Sequence, residues 1–392
     1  MTFRLFAVTV PGLELFTQHE LAVLNINTQL PQALSASGEP YEESGGVEFD
    51  ASLVDIYRTN LHLRTANRVL ARLGEFYAAA FAELRKKAAR LPWELYLRPG
   101  QPVALRVTCH KSKLYHSDAV AERVGAAIAD HLGQPTPIVN FNTLAPTATA
   151  AARKPAPPPQ LVMVRLVHDL CTISIDTSGA LLHRRGYRLE TAKAPLRETL
   201  AASLLLAAGW DTTSPLLDPF CGSGTIPIEG ALMARNIAPG KHRRFAFMDW
   251  PGFDQPLWKA TYDAAIAAEH APATPIQASD RDAGAIRMAQ ANASRAGVTG
   301  CIQFTCQAFS AIQPPAAPGW VVTNPPYGVR VSPTHDLRNL YTHLGDVLRE
   351  LCPGWQTGIL CNSDYLVGHT HLPFTHSLPL VTGGIPVKYY LT

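Results

Sequence analysis

The sequence predicts an α/β protein whose C-terminal half is a doubly wound parallel sheet, and three stretches carry that prediction. Leu216-Leu217 reads as the end of a buried strand. It meets a glycine-containing turn, Asp218-Pro219-Phe220-Cys221-Gly222-Ser223-Gly224, and a helix opens near Thr225-Ile226-Pro227-Ile228-Glu229. A second strand, Pro275 to Ser279, runs into Asp280-Arg281-Asp282 and a helix through Ala285, Met288, Ala289 and Asn292. The β-branched run Trp320-Val321-Val322-Thr323 ends in Asn324-Pro325-Pro326-Tyr327, where two prolines stop the strand and stiffen the turn. Ile302 to Thr305 supplies a third strand between them. Ligands of such sheets bind at the strand C-termini, so all three loops belong to one edge.

Bulk properties bound the rest. A chain of 392 residues suggests two or three domains, and 47% hydrophobic with 17% charged residues is ordinary globular composition. The net charge of +3 is too small to demonstrate a polyanionic partner, so the placement of basic residues must carry that argument. Seven cysteines lack paired spacing, which argues for free thiols in a reducing compartment, with neither a metal site nor a disulfide framework. The apolar N-terminus is interrupted by Arg4 and Glu14 and has no signal-peptide layout. No apolar run is long enough to span a bilayer, and a soluble cytoplasmic protein is expected.

In chain order, residues 2–10 read as a strand and Leu13 to Leu24 as an amphipathic helix. Gly46 to Phe49 is a strand leading to a helix from Ser52, its expected N-cap, to Leu61. This is the pattern of a small α+β sandwich. From Arg64 to Asp176 the pattern changes. Phe76-Tyr77 leads to a helix carrying Arg85, Lys86, Lys87 and Arg90; Val103 to Thr108 is a strand; and Ser117 to His131 is a helix. Between these last two, the loop Cys109 to His116 gathers Lys111, Lys113, Tyr115, two histidines and a serine. That set suits phosphate and, through Tyr115, base stacking, although a solvated loop of idle charges is an equal alternative on charge alone. Residues 134–160 form a proline- and alanine-rich extended loop that interrupts a sheet. It resumes as a hairpin, Leu161 to Val167 and Cys171 to Asp176, closed near His168-Asp169. The segment from Leu182 to Arg188 is basic, with Arg184, Arg185 and Arg188, and a helix is expected to open at Ala194-Pro195.

The turn Asp218 to Gly224 has no Lys-Ser/Thr after its glycines, which excludes a nucleotide P-loop, and it fails the dinucleotide fingerprint. A carboxylate at its start suits a cationic cofactor, and S-adenosylmethionine carries a sulfonium and an ammonium. A plain packing turn is the structural alternative. Asp280, at the end of the second strand, occupies the position that holds ribose hydroxyls, and Asp282 suits the helix N-cap. The Asn324 to Tyr327 turn offers an amide, proline carbonyls and an aromatic ring to a flat, amine-bearing ring.

Nearly the whole chain resembles the THUMP-domain RNA guanine-N2 methyltransferases, particularly the bacterial large-subunit rRNA type. The resemblance lies in Ser112 to His116, Leu182 to Arg188, Ala194 to Leu200, Asp218 to Glu229, Asn236 to Gly240 continuing to Trp258, and Asn324 to Arg330. It implies a ferredoxin-like domain over residues 1–62, a THUMP RNA-binding domain over 63–178 and a seven-stranded Rossmann-like class I methyltransferase domain over 179–392. It also implies S-adenosylmethionine contacts from Asp218, Phe220, Cys221, Gly222, Gly224, Thr225, Asp280, Arg281, Gln307 and Ala308, Gln307 standing where the family often has an aspartate. Asn324, Pro325, Pro326 and Tyr327 would receive a guanine, Tyr327 by stacking. Lys86, Lys87, Lys111, Lys113, Tyr115, Arg184, Arg185, Arg188 and Arg330 would hold RNA. The expected substrate is 23S rRNA, with tRNA second. A DNA adenine-N6 or protein glutamine-N5 methylase, and a non-catalytic RNA-binding or assembly protein, are the rivals.

Overall fold

The protein is described from a computed structural model. The structure describes residues 2–29, 32–34, 40–42, 45–139, 141, 158–189, 196–274, 276–327 and 337–392. Most of the 134–160 loop, Ala194-Pro195 and Arg330 therefore lie outside the described residues.

The N-terminal half is built on one eight-stranded sheet, in the order Thr28–Gln29, Gly46–Ala51, Phe3–Val8, Arg68–Tyr77, Leu170–Asp176, Gln160–Val167, Val103–His110, Ile138–Val139. The ten-residue strand Arg68–Tyr77 joins its two parts. Arg68 to Ala71 pair with Phe3–Val8 on one side, and Leu70 to Tyr77 pair with Leu170–Asp176 on the other. The sequence reading placed no strand there, because charged residues and Gly74 break the alternation. A Cβ at Gly74 would lie 2.5 Å from Leu91 Cδ2, so a side chain there would require that methyl to move aside. The expected hairpin is present, its turn made by His168 and Asp169 at φ 50° and 64°, the twist that matches antiparallel strands. Ser52 precedes the Leu53–His62 helix, its backbone N–H and its hydroxyl both donating to Asp55 Oδ2 at 3.0 and 2.6 Å.

The C-terminal sheet has seven strands, labelled β1 (Leu216–Asp218), β2 (Ile276–Asp280), β3 (Ile302–Cys306), β4 (Trp320–Thr323), β5 (Gln356–Cys361), β6 (His376–Thr382) and β7 (Ile385–Leu391). Their order is β3-β2-β1-β4-β5-β7-β6, all parallel except β7, which runs antiparallel to both β5 and β6. The buried runs Leu216-Leu217, Val321-Val322 and Ile359-Leu360-Cys361 are what a sheet covered on both faces requires. Helix α1 (Thr225–Ala234) follows β1, α2 (Ala283–Arg295) follows β2, and α3 (Arg338–Leu351) precedes β5. Strand order reverses between β1 and β4, so the crevice of this fold opens there.

The 236–258 segment binds the two halves together. Phe245, Phe247 and Trp250 are buried in the N-terminal core, where Phe247 stacks on Tyr57 at 4.6 Å between ring centres. Trp250 Nε1 donates to Gln160 Oε1 at 3.1 Å, and Gly240 N–H donates to the Leu61 carbonyl at 2.9 Å. The next helix upstream of β1 starts at Glu198, with Arg197 as N-cap, so it opens later than the sequence suggested.

Candidate active site

Asp218 is the last residue of β1 and is 1% exposed. Its Oδ1 accepts the Thr323 hydroxyl at 2.7 Å and the Phe220 N–H at 3.1 Å. Burial pushes the carboxyl up to about 7, against those two hydrogen bonds, and nearby Asp280 adds to the rise. The backbone then turns sharply: Gly224 N–H closes onto the Cys221 carbonyl at 2.8 Å, and Gly224 caps α1 at φ 85°. That φ belongs to glycine, and a Cβ there would sit 2.9 Å from the Ala289 Cβ of α2. Gly222, at φ 51°, has open space where a Cβ would be. Across the crevice, Asp280 Oδ2 accepts Gly222 N–H at 3.0 Å and Oδ1 accepts Asp282 N–H at 2.9 Å. Asp282 caps α2 by accepting Gly284 N–H at 2.7 Å, as expected.

This donor set fits a cationic, ribose-bearing cofactor. Among the described residues neither Asp218 nor Asp280 makes an ion pair; their carboxylates accept from Thr323, Phe220, Gly222 and Asp282. The backbone above Gly222 is clear for a close approach. Gln307 N–H, held by the Asp280 carbonyl at 3.0 Å, brings the half-buried Gln307 and exposed Ala308 to the same edge. Sequence reasoning missed Phe309, whose ring lies 5.1 Å from that of Phe220 and adds an aromatic wall. It also missed the fully buried Asn292, whose amide donates to the Ser223 carbonyl at 3.1 Å and braces the glycine turn. Arg281 is exposed beside Asp280, while Thr225 and Cys221 are buried under the turn. Burial holds the Cys221 thiol well above its ordinary value, which makes it a packing group.

The Asn324 turn lies next to this crevice, one residue beyond Thr323. Asn324 Oδ1 is buried and has no partner among the described residues, an arrangement that costs about 1–3 kcal/mol unless a ligand satisfies it. Pro325 is buried and Pro326 half-buried; the Pro326 carbonyl accepts the Tyr341 hydroxyl of α3 at 3.3 Å. Tyr327 corrects the sequence reading. Its ring is 2% exposed and belongs to the sheet core, so it underpins the turn and presents no open face to a base.

The basic residues divide into two groups. Lys86, Lys111, Lys113, Tyr115 and Arg184 are exposed, Tyr115 at 68%. Lys113 N–H donates to Asp169 Oδ1 at 2.6 Å and Asp169 N–H to Ser112 Oγ at 3.0 Å, which ties this loop to the hairpin turn. Lys87 is committed to Glu83 at 2.7 Å and the Tyr77 carbonyl at 2.8 Å. Arg185 and Arg188 are corrections. Arg185 is 3% exposed, pairs with Glu229 at 3.2 Å and donates to the Arg64 carbonyl at 2.7 Å. Arg188 pairs with Glu198 at 2.6 Å and donates to the Leu196 carbonyl at 2.7 Å. Both join segments of this chain, because an unpaired buried carboxylate would be costly. Among the described residues no group of three or more His, Cys, Asp or Glu side chains is placed to hold a metal, and no helix is long and apolar enough to cross a membrane.

Strand order, glycine turn and paired acidic strand ends together define a class I methyltransferase that uses S-adenosylmethionine. Comparison with known proteins narrows the class. Residues 185–368 match the RMKL-like methyltransferase domain, 4–70 the RlmL ferredoxin-like domain and 78–144 the THUMP domain. The chain is 34% identical over 395 residues to the provisionally named RNA methyltransferase slr0064 of Synechocystis sp., covering 98% of this chain and 96% of that one. It is 36% identical over 403 residues to the ribosomal RNA large subunit methyltransferase K/L of Methylococcus capsulatus, covering all of this chain but 51% of the relative. The chain thus spans about half the length of the K/L relatives it matches. Among solved structures, SMU.472, provisionally assigned as a methyltransferase and complexed with SAH, superimposes with a TM-score of 0.86 at 29% identity, covering 100% and 97% of the two chains. A Listeria monocytogenes chain assigned as an N6-adenine-specific DNA methylase gives 0.85 at 32%, covering 100% and 96%. The chain belongs to the THUMP-containing, RMKL-like methyltransferase family.

Proposed function

We propose that this protein is an RNA methyltransferase that forms N2-methylguanosine in large-subunit (23S) rRNA. The observation that carries the reading is the buried, unpartnered Asn324 Oδ1 beside the Asp218–Gly224 turn. S-adenosylmethionine, when bound, supplies an electrophilic methyl group on its sulfonium. In our reading Asp218 and the Gly222–Gly224 backbone hold its methionine end, Asp280 the ribose, and Gln307 with Phe220 and Phe309 the adenine side. The guanine amine is a weak nucleophile because its lone pair is delocalised into the ring. Asn324 Oδ1 and the Pro325 carbonyl accept its two N–H bonds, favouring the pyramidal amine and aiming its lone pair at the methyl donor. Catalysis rests on positioning and electrostatics, with no covalent enzyme intermediate.

The exposed Lys86, Lys111, Lys113, Tyr115 and Arg184 support an RNA partner, with units 1–62 and 63–178 presenting it to unit 179–392. Extruding the base costs a few kcal/mol, offset by contacts in the turn. The family names point to ribosomal RNA and a cytoplasmic setting. The shared turn and the Listeria relative keep adenine-N6 methylation of DNA as the second reading. Incubation with undermethylated 23S rRNA, tRNA, DNA and release factor, read by nucleoside and peptide mass spectrometry, separates them. N2-methylguanosine in 23S rRNA is expected; N6-methyladenine in DNA without RNA product would refute the proposal.

A further inference from the structure

We propose that Thr323 is a positioning residue: its hydroxyl locks the base-holding turn onto the cofactor turn and so sets the separation between amine and methyl donor. The inference rests on the reading above, in which Asn324 holds the amine. Strands β1 and β4 are paired through Leu216 with Trp320 and Leu217 with Val321, so the backbone ladder stops before either strand ends. Beyond it the strands carry the two halves of the site, Asp218 opening the cofactor turn and Thr323 directly preceding Asn324. The bond from Thr323 Oγ1 to Asp218 Oδ1, at 2.7 Å, takes over where the ladder ends. Both residues are buried, at 0% and 1% exposure, so water does not substitute for either partner.

The same bond tunes the carboxylate. Burial raises the Asp218 carboxyl to about 7, and the Thr323 hydroxyl is the leading influence holding it down. The other ionisable groups that act on it are Asp280 at the end of β2, Cys221 in the turn and Tyr389 on β7, none of them a cation. Only the ionised form attracts the cofactor's ammonium and sulfonium. Losing the hydroxyl therefore both loosens the turn and demands a higher pH for cofactor binding.

The test uses the full chain and the isosteric variant Thr323→Val, with Thr323→Ser as rescue and Asn324→Ala as reference. Turnover on undermethylated 23S rRNA is measured alongside S-adenosylhomocysteine affinity by calorimetry across the pH range around neutrality. For Thr323→Val, kcat should fall roughly 10- to 100-fold, the range for losing a hydrogen bond to a buried charged group. The acid limb of S-adenosylhomocysteine binding should move to higher pH, and Thr323→Ser should restore both. The proposal is overturned if Thr323→Val keeps wild-type kcat and pH profile while Asn324→Ala is inactive. It is equally overturned if Thr323→Val only lowers Tm, with kcat per folded molecule unchanged. If Asn324→Ala itself turns over, the reading of the site falls and the inference falls with it.

Discussion

Removing the Glu229 carboxylate should cost this protein a large part of its stability without touching RNA. Glu229 is 0% exposed; its Oε1 accepts the Tyr187 hydroxyl at 2.9 Å and its Oε2 faces Arg185 Nη2 at 3.2 Å. In Glu229→Ala, Arg185 stays buried as an uncompensated cation, a change that costs about 3–5 kcal/mol. The Tyr187 hydroxyl loses its acceptor as well, about 1 kcal/mol more. Neighbouring losses are not additive, so less than their sum, about 3–5 kcal/mol, is expected, against a total stability of about 5–15 kcal/mol. Urea unfolding followed by circular dichroism reads the change as a shift in midpoint. The double variant Arg185→Met with Glu229→Met replaces the ion pair by apolar volume and should recover most of the loss. Its RNA affinity and the salt dependence of that affinity should match wild type. A loss below about 1 kcal/mol in Glu229→Ala, or an RNA defect in the stable double variant, would refute the structural role assigned to Arg185.

Three further outcomes are expected. Asn324→Ala should abolish methyl transfer while S-adenosylhomocysteine still binds by calorimetry; turnover in that variant would dismiss Asn324 as the amine acceptor. Gly222→Ala and Gly224→Ala should differ: both meet a left-handed φ, about 1–2 kcal/mol, but only Gly224→Ala drives a Cβ against Ala289, adding about 1–3 kcal/mol by thermal unfolding. Gly222→Ala should instead stay folded and lose cofactor affinity. Burial, then neighbouring arginines, depress His62 to about 4 and His183 to about 3 from 6.5. Their folded values lie below the unfolded one, so the unfolded chain binds more protons as pH falls. Their stabilisation is complete above about pH 6.5 and drains away down to about pH 4 for His62 and about pH 3 for His183. The buried Asp218 and Glu198 carboxyls, raised to about 7, pull the other way, so the histidine contribution is read by difference: the slope of urea midpoint with pH should be less positive in His183→Gln than in wild type.

The strand ends were legible because their chemistry is local: a glycine pair after an apolar run, a carboxylate ending a strand, two prolines after β-branched residues. What the sequence hid was direction and depth. Arg184, Arg185 and Arg188 look alike in a basic segment, yet one is exposed and two are sealed against Glu229 and Glu198, distant partners that only packing reveals. Tyr327 follows the same rule, since an aromatic after a tight turn gives no sign of whether its ring turns outward or into the core. Strand β6 escaped because Pro379 reads as a breaker, whereas an edge strand tolerates it. Phe309 and Asn292 sit in segments that look like ordinary loop and helix; only the approach of β3 and α2 to the glycine turn gives them a role.

The strand Arg68–Tyr77 carries a mechanical consequence. Because one continuous ribbon is hydrogen-bonded to Phe3–Val8 at its start and to Leu170–Asp176 along its length, the N-terminal half behaves as a plate instead of two beads on a string. The 236–258 segment rivets that plate to the methyltransferase sheet. Under the proposed function, an RNA on the exposed Lys111–Tyr115 loop would sit at a set span from the Asn324 turn, and the molecule would act as a caliper.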